Sequence, residues 1–440
     1  MTNEPDLTAL AGDLRNEAET TVLEEADAPR ISARGIRPRL LCSPSSSEAL
    51  AAALACCDRA GAAVIPWGGG TQQRLGLPPR RADVILTTRR LDRLVEYVPG
   101  DLTVTVEAGM RFGELQRLLG ERGQWLPLDP PLMPEATVGG VVATNVSGPR
   151  RIRDGGLRDM VIGTRTANVD GTLTRAGGRV VKNVTGYDLN KLHIGALGTV
   201  GMLVEVTLKV APRPETERSW IGTFPSVDAA GRAVGTILRR PLAPTALDLL
   251  NDRVAAESGL RLPPGHWALL GRASGFAPAV DRHLAEFEAA ARAEGATDSQ
   301  RLDEGAAERV WACLARMASA LRWADDVLTC RFALLPATMG RVCREVATSG
   351  GEPFVWGHGV GALFWSVPAR SAPAALEAVS RFRREAVAAG GALVVENWPR
   401  SVEGVDVWGS PGGPIPLMRA IKSQFDPHGI LNPGRFVGGM

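Results

Sequence analysis

Three consecutive glycines, Gly68 to Gly70, stand inside "IPWGGGTQQRLG", residues 65–76, directly after a short apolar run at 62–65. Glycines let a backbone approach a ligand closely, and successive amides can converge on an anion. The chemistry on offer is therefore the binding of a phosphate group, with Thr71 and Gln72 as further donors. A P-loop needs G-x-x-x-x-G-K-[ST], and no lysine follows here. A dinucleotide fingerprint needs G-x-G-x-x-G opening a helix, whereas Pro78 and Pro79 follow Gly76 and stop one from running. A tight turn between strands is the plain alternative. A diphosphate fits such a loop without a lysine.

A second segment of the same character follows. Residues 125–148 read "WLPLDPPLMPEATVGGVVATNVSG", dense in Pro, Gly and small polar residues. The prolines hold an extended backbone. Thr137, Gly139 and Gly140 let a cofactor lie against the main chain, and Thr144, Asn145, Ser147 and Gly148 add donors and close approach. One such segment is also what a buried glycine turn looks like. Two of them, with strands between, point to a nucleotide cofactor.

The elements that must hold these loops follow from periodicity. Leu50, Ala53, Leu54 and Cys57 recur at helical spacing and predict a helix over 48–60. Strands are expected at 62–65 and 83–87, and a half-buried one where Leu102, Val104 and Val106 alternate with threonines. A helix runs from Phe112 to near Gly123, a hairpin turns at Asp170-Gly171, and a long strand covers 202–210. Leu7, Leu10 and Leu14 keep helical spacing in an otherwise polar N-terminus, which reads as a frayed extension over 1–35. Ala-Pro-Arg-Pro at 211–214 marks a domain boundary. Beyond it, strand-like runs (219–224, 245–250, 267–273, 326–334, 392–395) alternate with alanine-rich helical runs at 229–238, 279–293, 306–321 and 374–389. That pattern predicts an α+β domain, an antiparallel sheet with helices on one face.

With both glycine segments in view, the chain resembles the FAD-binding domain of the vanillyl-alcohol-oxidase and p-cresol-methylhydroxylase type. The resemblance rests on Pro66–Gly76, on Pro127–Pro130, on Thr137–Gly148, on "GRVVKNVTGYDLNKLHIGALGTVGMLVEVTLKV" at 178–210 and on "IKSQFDPHGILNPGRF" at 421–436. It covers residues 28 to 212 and the tail. Within the family, "SGPRR" at 147–151, "RDMVIGTR" at 158–165 and "GALG" at 195–198 look like the smaller flavin subunit of bacterial glycolate oxidase.

The resemblance implies an α+β fold: a two-subdomain FAD-binding domain at 36–212, an α+β cap with an antiparallel sheet at 213–415, and a tail at 416–440 returning to the FAD domain. It implies FAD, held by Pro66, Trp67, Gly68, Gly69, Gly70, Thr71, Gln72, Gln73 and Gly76, by Asp129 and Pro130, and by Thr137, Val138, Gly139, Gly140, Thr144, Asn145, Ser147 and Gly148. Asn183, Thr185 and Gly186, in a turn before a helix, are secondary candidates, and Leu203 is grouped with them. The loop carries Gln72 and Gln73 and neither His nor Cys, so the FAD is expected to be noncovalent.

Oxidation of a 2-hydroxy acid also needs a base for the hydroxyl proton and a cation for the carboxylate. Catalytic branches of the family carry a "HAGDGNxH" motif and a later "E-H" pair, whose histidines can bind a metal. This chain reads "WGHGVGALFWSVP" at 356–368 and "VVENWP" at 394–399. His358, Gly359 and Gly361 match the start of the motif, Leu363, Phe364 and Trp365 replace its end, and Glu396 is followed by Asn397. No metal is expected from one histidine and one glutamate. His358 is a candidate base, with a hydrogen-bonded structural histidine as the alternative. His193 reads as packed near the cofactor or at the surface, and His428 is given no role. Trp356, Trp365, Trp398 and Trp408 form a late aromatic group that suits a flavin wall, an interface or plain core packing.

Composition limits the rest. The chain has 440 residues, 45% of them apolar, with a formal charge of +2, so no basic field argues for nucleic acid. No apolar run reaches 18 residues, and residues 1–28 are polar and acidic, so a cytoplasmic protein is expected, at most peripheral to a membrane. Six cysteines form no CxxC pair and read as buried thiols. The leading expectation is an FAD-dependent oxidoreductase acting on CH–OH groups, a subunit of a glycolate-oxidase-like dehydrogenase. It would work on a 2-hydroxy acid beside a larger FAD subunit and an iron–sulfur subunit. A self-sufficient FAD oxidase and a noncatalytic flavin-binding assembly subunit are the alternatives.

Overall fold

The computed structural model describes residues 5–18, 20–24, 35–178, 187–349, 353–358, 361–368, 370, 372–410 and 412–440. They divide into two compact units: 1–147, 156–213 and 410–440 in the first, 148–155 and 214–409 in the second.

In the first unit, Asp6 caps the helix Leu7–Asn16 by accepting the amides of Thr8 and Ala9 at 3.0 and 3.1 Å. Leu10 and Leu14 are fully buried in one core with Leu50 and Leu54 of the helix Ser47–Arg59. Strand Thr21–Glu24 then pairs antiparallel with Leu40–Ser43. The expected frayed extension is thus a packed part of the unit, because its leucine stripe finds an apolar partner helix. The sheet is completed by Val84–Thr87 and Val64–Trp67, each paired in parallel. The last strand starts two residues later than expected. Ala62 donates its amide to Cys57 O at 2.9 Å, so the helix closure uses it.

A five-stranded antiparallel sheet follows, in the order Leu94–Val98, Thr103–Glu107, Met202–Lys209, Val161–Ala167, Leu173–Gly177. Strand Thr103–Glu107 is buried on both faces, not one. Two of its polar side chains find partners there: Thr105 Oγ1 bonds Thr207 Oγ1 at 2.9 Å, and Arg93 reaches Glu107 at 2.8 Å. The hairpin at Asp170 is closed by its carboxylate, which accepts the Thr172 amide at 2.9 Å.

The second unit is built on one eight-stranded antiparallel sheet. Its order is Asp298–Leu302, Thr216–Phe224, Trp267–Gly275, Ala246–Asn251, Phe354–His358, Ala362–Pro368, Val327–Ala333, Ala392–Asn397. Helices Val227–Arg239, Ala277–Ala293, Pro336–Ala347 and Ala372–Ala388 cover one face, against Leu249, Leu269, Val355 and Trp365. The expectation of helices on one face alone does not hold. Asp252–Glu257 and Glu304–Trp323 place Val254, Trp311 and Leu314 on the other face, against Leu250, Ala268, Leu270 and Trp356. Those strands are apolar on both sides, so both need cover. The basic run after Gly148 anchors in this unit. Arg150 forks onto Glu217 at 2.7 and 2.8 Å, and Arg153 donates to Ser274 O at 2.6 Å.

Candidate cofactor pocket and catalytic residues

Strand Val64–Trp67 delivers the chain into the triple glycine, and the loop lies directly on the second glycine segment. A Cβ at Gly68 would stand 2.2 Å from Thr137 Oγ1, and one at Gly69 would stand 1.9 Å from Glu135 O. Gly70 then turns with φ +79°. Thr137 caps the helix Val138–Thr144, its Oγ1 accepting the Gly140 amide at 3.2 Å. Among the described residues Gly68, Gly69 and Gly70 donate no hydrogen bond. The loop therefore offers a run of unused amide donors, which is what an anion needs.

These segments wall a cavity of the concave, part-apolar kind that small-molecule sites use. Of the residues singled out from sequence, Pro66, Trp67, Gly68, Gly69, Gly70, Thr71, Gln72, Gln73, Gly139, Gly140, Thr144 and Leu203 line it. Thr137 lies beneath the loop, and Val138 is buried in the apolar core. Asn145 ends its helix at φ +51°. Gly76, Asp129, Pro130, Asn145, Ser147 and Gly148 are not among the lining residues. Asn183, Thr185 and Gly186 lie outside the described residues.

Sequence reasoning missed part of the wall: Thr88, Ala108, Ala143, Ala196–Gly198, Gly201, Met202, Asn432 and Arg435. His193, read from sequence as near the cofactor or at the surface, also lines the cavity, and burial lowers its pKa to about 4, so it is neutral at physiological pH. Asn432 and Arg435 come from the far end of the chain. The tail adds to the sheet edge, Val64 donating to Ile430 O at 2.8 Å and Asn432 to Val64 O at 2.9 Å. Lys422 ties it down through Thr199 O at 2.8 Å, Leu431 O at 2.9 Å and the Asp426 carboxylate. The "NPGR" turn was the available signal.

The cavity fits FAD on its own chemistry. It pairs bare main chain at the glycines with apolar wall at Leu203, Met202 and Ala143. The buried indole N–H of Trp67 has no partner among the described residues, and an oxygen-rich ligand satisfies such a donor.

In the second unit, His358 ends strand Phe354–His358 and stands opposite Asp248 in register. His358 Nδ1 lies 2.8 Å from Asp248 Oδ1, and Asp248 Oδ2 accepts the Trp356 indole N–H at 2.7 Å. Asp248 is wholly buried, so this carboxylate is committed to two donors. With Nδ1–H donated to it, Nε2 of a neutral His358 keeps its lone pair. Phe364, on the neighbouring strand, sets its ring 5.6 Å from the imidazole.

Glu396 receives Arg322 Nε and Arg331 Nε, each at 2.6 Å. Burial alone would raise its pKa, but the two guanidinium groups hold it below the usual carboxylate range. Glu396 is thus spoken for by arginines, and no group of three or more His, Cys, Asp and Glu that could hold a metal occurs among the described residues. Gly359 lies outside the described residues. The late tryptophans do not form one wall, since Trp356 and Trp365 belong to cores on opposite faces of the sheet. His428 pairs with Asp58 at 2.9 Å.

Residues 38–177 match the FAD binding domain family, and 213–351 with 412–436 match the family of FAD linked oxidases, C-terminal domain. The glycolate oxidase subunit GlcD of Bacillus subtilis is 26% identical over 90% of this chain and 88% of its own length. The glycolate oxidase subunit GlcE of Escherichia coli is 43% identical over a shorter stretch, 29% of this chain and 36% of its own. Among solved structures, p-cresol methylhydroxylase with substrate bound matches at a TM-score of 0.75 and 15% identity, covering 99% of this chain and 97% of that one.

Proposed function

Starting from a chain that carries the FAD-binding domain and the C-terminal domain of the FAD-linked oxidases, an FAD-dependent oxidoreductase acting on CH–OH groups, we propose that it is the flavin subunit of a glycolate-oxidase-like dehydrogenase. Its substrate is a small 2-hydroxy acid, and its electrons pass to an iron–sulfur partner beside a larger FAD subunit. In this reading residues 36–212 are the FAD-binding domain, 213–415 the substrate-side domain and 416–440 the returning tail.

The observation that carries the reading is the contact of Gly68 and Gly69 with the 135–137 segment, which leaves the loop amides unused beside the cavity. The amides of Gly68–Gly70 would hold the diphosphate, and Gly139, Gly140, Thr144 and Leu203 would line the remainder. Bound FAD supplies the two-electron acceptor for the carbinol hydride. His358, its Nδ1 held by the Asp248 carboxylate, is the candidate base for the hydroxyl proton. The subunit assignment is supported by the 43% identity to GlcE and by the absence of the second motif histidine, its place taken by Trp365.

Affinity purification of the tagged chain from its own host, with flavin and iron counted, tests the reading. A larger flavoprotein and an iron–sulfur protein in the product are expected. Full turnover of glycolate or D-lactate by the isolated chain with an artificial acceptor would replace the subunit reading with a self-sufficient dehydrogenase.

A further inference from the structure

Arg435 is 3% exposed and packs against the glycine loop, its guanidinium bonding the loop and, through Nη1, Asn432 Oδ1 at 3.3 Å. Nη1 donates to Gln73 Oε1 at 2.7 Å, and Nη2 donates to Gln73 O at 2.7 Å and Leu75 O at 2.9 Å. Gln73 in turn donates to Pro66 O at 3.1 Å, at the loop's other end. Among the described residues lining the cavity, Arg435 is the only Lys or Arg, and His193, elsewhere in the wall, is neutral.

A ligand with a diphosphate brings negative charge into this cavity. In nucleotide loops of the P-loop kind a lysine following the glycines meets that charge. This loop has none.

We propose that Arg435 is the counter-charge and positioning residue for the diphosphate of FAD, supplied from the C-terminal tail rather than from the loop sequence. It acts in two ways. Its hydrogen bonds hold the carbonyls of Gln73 and Leu75 turned toward it, which leaves the opposite, amide-bearing side of the loop for the ligand. Its charge lies in a low-dielectric setting, where attraction reaches farther than in water. Burial lowers its pKa only to about 10, so it stays charged at neutral pH. The tail is therefore part of the cofactor site, and affinity for a flavin with a diphosphate depends on it more than affinity for one without.

The inference rests on FAD as the ligand, and the experiment separates the two. Apoprotein of the full chain is titrated with FAD and with riboflavin, which lacks phosphate, by quenching of flavin fluorescence. For Arg435→Gln, FAD affinity is expected to fall at least about tenfold more than riboflavin affinity. For Arg435→Lys, which keeps the charge and loses the fork, the FAD-to-riboflavin ratio is expected to stay within about threefold of the unmodified protein. Equal losses for both flavins in Arg435→Gln, or an unchanged FAD affinity, would overturn the proposal. Should the glutamine variant not fold, the lysine variant decides alone, since a collapsed ratio there contradicts a role for charge. Failure of the unmodified protein to bind FAD would instead remove the cofactor reading itself.

Discussion

Gly69 and Glu135, 66 positions apart in the chain, are in direct backbone contact: a Cβ on the glycine would stand 1.9 Å from the glutamate carbonyl oxygen. No rotamer relieves that clash, because both groups are main chain. Gly69→Ala is expected to push the loop off the 135–137 segment and to lower FAD affinity by 100-fold or more, on the order of 3 kcal/mol. Titration of the apoprotein with FAD checks this, and an affinity within threefold of the unmodified protein would count against the loop as the diphosphate site.

The Asp248–His358 pair makes a kinetic prediction. General-base catalysis contributes roughly 10²–10⁴-fold to rate. Asp248→Asn keeps the shape and loses the carboxylate that fixes the His358 tautomer, so kcat is expected to fall by about 100-fold or more in the active assembly. Flavin content should be unchanged. Turnover within threefold would reduce His358 to a structural histidine.

Glu396 is buried between Arg322 and Arg331. Removing one partner of a buried ion pair typically costs ~3–5 kcal/mol. Glu396→Ala is expected to lose stability of that order by denaturant unfolding. Glu396→Gln, which retains the hydrogen-bond acceptor, should lose less.

His193 gives a pH dependence with a definite sign. Its pKa is about 4 in the folded chain, against ~6.5 for an unperturbed histidine. Between those values the unfolded chain binds a proton that the native one does not. Stability is therefore lost as pH falls through that window, by up to about 3 kcal/mol, and is unaffected above neutrality. Replacing His193 by Gln should flatten this part of the apoprotein's stability profile, as read by thermal unfolding at pH 4.5 and 7.

The legible part of this molecule was what local pattern controls. The triple glycine, the "TVGG" segment and the 202–210 strand needed only spacing and residue type. What escaped was set by distant partners. The leucines at 7, 10 and 14 have a helical stripe in any reading, but only the helix Ser47–Arg59 shows that the stripe is buried. Thr105 looks like a solvent-facing residue until Thr207 is found beside it. Strand Phe354–His358 is short and carries Gly357 inside it, so its pairing with Ala362–Pro368 could not be read from alternation. Asp248 carries no motif at all, and its importance appears only when the sheet sets it opposite His358, 110 residues later. Arg435 was inside a recognised tail, but its contact with Gln73 spans 362 positions.

The central claim is that the cavity between the two glycine segments holds FAD without a covalent bond. Denaturing the purified chain and separating protein from small molecules tests it in one step. About one FAD per chain is expected in the filtrate, identified by mass and visible absorbance, with colourless protein left behind. Flavin retained on the denatured protein would contradict the noncovalent assignment, and protein that neither carries nor takes up FAD would contradict the claim as a whole.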